Sequence, residues 1–119
     1  MPSPFPEHVY KIAEAEAFAA ARRQGVFAGA AIDITDGYIH LSTAAQVSET
    51  LRLHFRGRHD LVIAAVRAAA LGTALRWEPS RGGDLFPHLY GPLDMAAVDW
   101  AEPIEVDDRG DCALPARLG

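Results

Sequence analysis

The chain has 119 residues, half of them hydrophobic, and a formal charge of −5 from 11 basic and 16 acidic side chains. That length fits one domain able to bury roughly two-thirds of its unfolded surface. The acidic balance argues against nucleic acid as a partner, because backbone binding relies on many Lys and Arg contacts. The lone cysteine, Cys112, excludes an internal disulfide and fits a reducing, cytoplasmic setting.

The start, Met1-Pro-Ser-Pro-Phe-Pro, has neither the basic end nor the apolar segment of a signal peptide. The longest apolar stretch, Leu61 to Val66, is too short to span a bilayer. Residues 1–7 read as an extended arm, 8–106 as a single domain and 107–119 as a flexible tail. His8 to Ile12 reads as a strand. Ala13 to Gln24 reads as a helix, acidic at its start and basic at its end, with Ala15, Phe18 and Ala19 as its buried stripe and Gly25 as its stop. Residues 26–37 are small and apolar, end in the turn signal Asp36-Gly37, and give no clear element.

Tyr38 to Leu41 reads as a strand. Thr43-Ala44-Ala45-Gln46 matches a capping box, and Ala44, Val47, Leu51 and Phe55 recur at helical spacing, so a second helix should run to about Phe55. Asp60 to Ala68 is a continuous apolar run, as expected of a central strand covered on both faces. Leu75 to Glu78, Leu85 to Tyr90 and Trp100 to Val106 read as further strands. Pro87 points to an edge or a bulge for the second of these. Two helices and five to six strands make the chain α+β.

Three cassettes carry the chemistry. In Tyr38-Ile39-His40-Leu41-Ser42, alternation puts His40 on one face with Tyr38 and Ser42, beside a helix start at Ser42 and Thr43 whose free N–H groups suit an anion. In Phe86-Pro87-His88-Leu89-Tyr90, His88 shares a face with Phe86 and Tyr90. Between them, Trp77-Glu78-Pro79-Ser80 sets a carboxylate at a strand end, where it can act as a base or grip a hydroxyl. Histidine changes charge near neutral pH, which qualifies His40 and His88 for acid–base work. Each cassette also has a plain reading: a half-buried histidine bonded to backbone, a packed aromatic corner, and a glutamate in a surface ion pair. The five histidines show no H-x-x-x-H pair, so no metal is expected.

DGYIHLST, LRWEPSRGG and LFPHLYGPL, in this order, resemble the bacterial domain-of-unknown-function family 952 over Val9 to Val106. A more distant resemblance links Ile39-His40-Leu41-Ser42, Arg58-His59 and Asp60 to Val66 to RNA 2′-phosphotransferases, which have the ADP-ribosyltransferase fold and use NAD. That resemblance implies two small mixed sheets packed around a cleft. It implies a small-molecule ligand, NAD or an ADP-ribose derivative. It places His40, Ser42 and the Arg58 loop along that ligand's site, and the three polar cassettes add the rest, so that His40, Glu78 and His88 are the catalytic candidates. Tyr38, Ser42, Thr43, Arg58, Trp77, Ser80 and Tyr90 would be the ligand-binding ones. The first strand, His8 to Ile12, lacks the His- or Arg-then-Gly motif of ADP-ribosyltransferases. A non-enzymatic module with structural histidines is the competing expectation.

Overall fold

The computed structural model describes residues 6–118, with the backbone alone at Arg81, so most of the expected N-terminal arm lies outside the described residues. Strands β1 (His8–Glu14), β4 (Leu61–Arg67) and β8 (Val98–Ile104) form one sheet in the order β1-β4-β8. Strands β3 (Ile39–His40), β5 (Leu75–Pro79) and β6 (Leu85–Leu89) form a second, in the order β3-β6-β5, and β2 (Val26–Phe27) pairs with β7 (Leu93–Asp94). The strand pairings are antiparallel, not mixed, and the described residues form three small sheets rather than the two expected. Helices α1 (Ala15–Gln24), α2 (Ala31–Asp36) and α3 (Ala44–His54) complete the α+β fold.

The apolar run of β4 does sit at the centre of its sheet, and its alternation explains why every position is hydrophobic. Leu61, Ile63 and Ala65 enter a core shared with Val47 and Leu51 of α3. Ala64 and Val66 enter a different core with Phe18, Ile39, Leu41 and Leu89. Both faces of the sheet are thus dry, and each large side chain such as Leu51 or Ile63 contributes roughly 1.5–3 kcal/mol by leaving water.

The ends of α1 and α3 follow the sequence signals. Gly25 closes α1 in the left-handed region at φ 84, its N–H donating to the Ala21 carbonyl at 2.8 Å. At α3 the Gln46 side chain accepts the Thr43 N–H at 3.0 Å. The buried residues of α1, however, are Phe18 and Ala21; Ala15 and Ala19 are exposed.

Two further differences shape the site. The unreadable stretch contains α2, a third helix, closed by Gly37 at φ 87. And β6 is the centre of its sheet, not an edge, despite Pro87. The proline is tolerated because β3 is only two residues long. The Pro87 carbonyl accepts the Leu41 N–H at 3.1 Å, so the amide that proline lacks belongs to this sparsely paired side. Residues 107–118 lie against the α3 core through Cys112, Leu114 and Leu118.

Candidate active site cleft

The β3-β6-β5 sheet sorts its residues by face. Ile39, Leu41, Leu89, Leu75 and Trp77 go to the core. His40 pairs directly with His88, and His88 with Arg76, while Glu78 pairs with Phe86, so these five share the opposite face. Tyr38 lies flat on His88, with ring centroids 4.0 Å apart and planes 19° apart, and its ring is 4.7 Å from His40 and 5.3 Å from Tyr90. The alternation read from the two histidine cassettes therefore brings Tyr38, His40, His88 and Tyr90 together.

Two residues that the sequence reading passed over fix His40. Asp33 of α2 is buried, and its Oδ1 accepts both the His40 backbone N–H at 3.0 Å and lies 2.6 Å from His40 Nδ1. Its Oδ2 accepts the Ala30 N–H at 2.7 Å. Lys11 of β1, also buried, donates from Nζ to Asp33 Oδ2 at 3.0 Å and to the His40 carbonyl at 3.1 Å. Burial works against an ionised Asp33. The His40 ring, the Lys11 ammonium and the two amides outweigh it and hold the carboxyl well below the usual carboxylate range. For Lys11 the balance runs the other way: burial lowers it, with Asp33 opposing. The other ring nitrogen of His40, Nε2, lies 2.8 Å from Asp36 Oδ2 at the open end of α2.

The second histidine has its own carboxylate. His88 Nδ1 lies 2.8 Å from Glu78 Oε1, which also accepts the Tyr90 hydroxyl at 2.6 Å. Those two bonds, Tyr90 first, lower the Glu78 carboxyl, and the same carboxylate raises the Tyr90 phenol. The Arg76 guanidinium covers the far face of this corner, 4.7 Å above the Tyr90 ring.

A cleft of about 550 Å³ opens beside the histidines. His40, His88, Tyr38, Asp36, Ser42 and Ser80 contribute to its lining, together with Ile12 of β1, Ile32 of α2, Phe55 just past α3 and Phe86 of β6. Its floor is where the two larger sheets meet, since Tyr10 and Ser42 exchange backbone hydrogen bonds of 2.8 and 2.9 Å. Ser42 is buried, its hydroxyl 3.2 Å from that of Thr50.

Five of the sequence candidates stand apart from this lining. Glu78 and Tyr90 form the bonded corner next to Tyr38 and His88. Thr43 caps α3, and Trp77 packs into the core on the opposite face of the sheet. Arg58 does not reach the cleft at all. It is bonded twice to Asp60 at 2.9 Å, with Glu14 at 3.7 Å, because the chain turns out of α3 before β4 begins. One signal for the missed pair was present. A lysine inside Val9-Tyr10-Lys11-Ile12-Ala13 interrupts an otherwise apolar strand, which calls for a buried partner. Among the described residues, no group of three His, Cys, Asp or Glu side chains could hold a metal ion. No described helix is long and apolar enough to cross a membrane.

The family model described as "Protein of unknown function (DUF952)" matches residues 12–101. The chain belongs to this family. The DUF952 match takes in Asp33, Asp36, Tyr38, His40, Glu78, His88 and Tyr90, and Lys11 lies one residue before it. The X-ray crystal structure of protein CC0527 from Caulobacter crescentus is 44% identical. The alignment covers 93% of this chain and 97% of that one, with a TM-score of 0.87. The solution NMR structure of the same Caulobacter crescentus protein gives 45% identity, 88% and 90% coverage and a TM-score of 0.78. Comparison with curated proteins gives no match.

Proposed function

We propose that the cleft binds a small-molecule ligand of the nucleotide or ADP-ribose type, NAD included, and that His40 is its acid–base group in a transfer reaction. The observation that carries this reading is the clamp on His40. Asp33, itself fixed by Lys11 and two amides, holds Nδ1, so a ligand at the cleft mouth would meet Nε2, in place of the more exposed Asp36 carboxylate now 2.8 Å from it. A histidine fixed at one nitrogen by a carboxylate has the orientation that proton transfer at the other requires. The stacked Tyr38 and His88 rings offer a wall for a planar base, and about 550 Å³ lies within the ordinary ~300–1,000 Å³ of ligand sites. Ser42 and Ser80 supply hydroxyls to the same cleft. Glu78 takes a supporting part, holding His88 rather than touching ligand. Location in the cytoplasm belongs to the same proposal.

Titration with NAD, ADP-ribose and nucleoside monophosphates, followed by backbone NMR shifts, tests it. Shifts concentrated at residues 38–43 and 86–91 are expected. Their absence at millimolar ligand overturns the reading.

A second reading has its own support. Among the described residues, every buried side-chain N or O atom already has a hydrogen-bond partner, and the His88 side chain is only 5% exposed. A polar network complete without ligand is what structural histidines in a non-enzymatic binding module would show. In that case His40→Ala loses stability rather than binding.

A further inference from the structure

The charges around His40 alternate along a line: the Lys11 ammonium, the Asp33 carboxylate, the imidazole, then the Asp36 carboxylate. The two ends of the line differ. Asp33 is 1% exposed and fixed by Lys11, the Ala30 amide and the His40 amide. Asp36 is 38% exposed and approaches Nε2 from the solvent side, at the last residue of α2 before Gly37 at φ 87. Both ring nitrogens therefore meet carboxylate oxygens, at 2.6 and 2.8 Å. A ring with one N–H can satisfy only one of them; the imidazolium donates to both. Among the described residues, the aromatic rings beside His40 are His88, at 5.9 Å between centroids, and Tyr38, at 4.7 Å.

We propose that His40 is an imidazolium in the free protein and that the Asp36 carboxylate occupies the place of a ligand's acceptor oxygen, which displaces it from Nε2–H. The ligand group that meets His40 is thus an anion with oxygen acceptors, a phosphate or a carboxylate, and Asp36 competes with it. Asp33 and Lys11 are positioning residues in this arrangement: they keep Nδ1 donating inward so that Nε2–H is the end that changes partner. This deepens the ligand reading above and rests on it for the place of binding.

The test has two arms. In the wild-type protein near neutral pH, ring ¹⁵N spectra of His40 should show hydrogen on both nitrogens; a bare nitrogen overturns the proposal. In the second arm, Asp36→Ala and wild type are titrated with inorganic phosphate and with acetate, following the His40 ring signals. Removing the competing carboxylate should tighten binding of one or both anions by about tenfold, the scale of one charge-assisted hydrogen bond. The anion that gains more identifies the group as phosphate or carboxylate. Equal or weaker binding in Asp36→Ala, or no binding of either anion, overturns it. Asp36 is at the rim, so the variant should fold, and Asp36→Asn, which keeps the shape, provides the same comparison. Failure of NAD and ADP-ribose to bind, with phosphate or acetate still bound more tightly by Asp36→Ala, would count against the nucleotide reading alone.

Discussion

The imidazoles of His40 and His88 face one another across the β3–β6 ladder as a direct residue pair, 5.9 Å between ring centroids and nearly edge to face at 68°. Each is tied on its far side to a different carboxylate, His40 to Asp33 and His88 to Glu78. The two carboxylates differ in burial, and substitutions around them should separate accordingly.

Asp33→Ala should be the most damaging change at the site. It leaves the Lys11 ammonium buried without its counter-charge, a loss of roughly 3–5 kcal/mol. His40→Ala leaves Asp33 with Lys11 and two amides, so the loss should be nearer ~1 kcal/mol. Thermal melts of the two variants measure this. A His40→Ala melt as low as that of Asp33→Ala would favour the structural-histidine reading.

Acid stability should depend on Asp33. Its carboxyl is depressed in the fold, so its contribution is complete above the unfolded value of about 3.9 and is lost as pH falls below that through the folded value. Asp33→Asn should therefore be less stable than wild type near neutral pH, with the gap narrowing below about pH 4. Urea midpoints measured across that range decide it, and a gap that stays constant contradicts the assignment.

The Glu78 corner should respond in titration. The Tyr90 phenol is raised by its bond to Glu78, so Glu78→Gln should move one tyrosine toward ordinary alkaline titration. Phenolate absorbance reads this, with Tyr90→Phe identifying the tyrosine. No movement would mean that the hydroxyl does not donate to Glu78 in solution.

The C-terminal segment should detach on a single substitution. A Cβ at Gly110 would come 2.6 Å from Arg52 Cγ and 3.1 Å from Arg52 Cα, and its φ of +89 already disfavours an L side chain. Gly110→Ala should cost ~2 kcal/mol and raise amide exchange over residues 107–118. Unchanged exchange there would show that the contact with α3 is dispensable.

Much of this architecture was legible in the residues. Alternation placed Tyr38 with His40 and His88 with Tyr90, because face is a local property of a strand. The capping box marked the start of α3, and the uninterrupted apolar run marked β4 as central. Strand order was not legible, so Pro87 suggested an edge where the fold has a centre. Helix α2 was hidden for a different reason. Ile32-Asp33-Ile34-Thr35-Asp36 has no amphipathic helical stripe, and Ile32 and Ile34 are 59% and 69% exposed. Contact between Asp33 and the distant Lys11 and His40 accompanies that helix, and such pairing across the chain has no local sequence mark.

The alternation of β1 between two cores has a consequence for how the chain finds its fold. Tyr10 and Ile12 face the α3 core, while Lys11 lies between them, on the side of Val9 and Ala13, where it meets Asp33. A slip of β1 by one residue against β4 would carry the ammonium into a core of Val47, Leu51 and Ile63, with no carboxylate to meet it. The lysine thus acts as a keyed residue: mispaired sheets are penalised during assembly, before the cleft has any ligand to recognise.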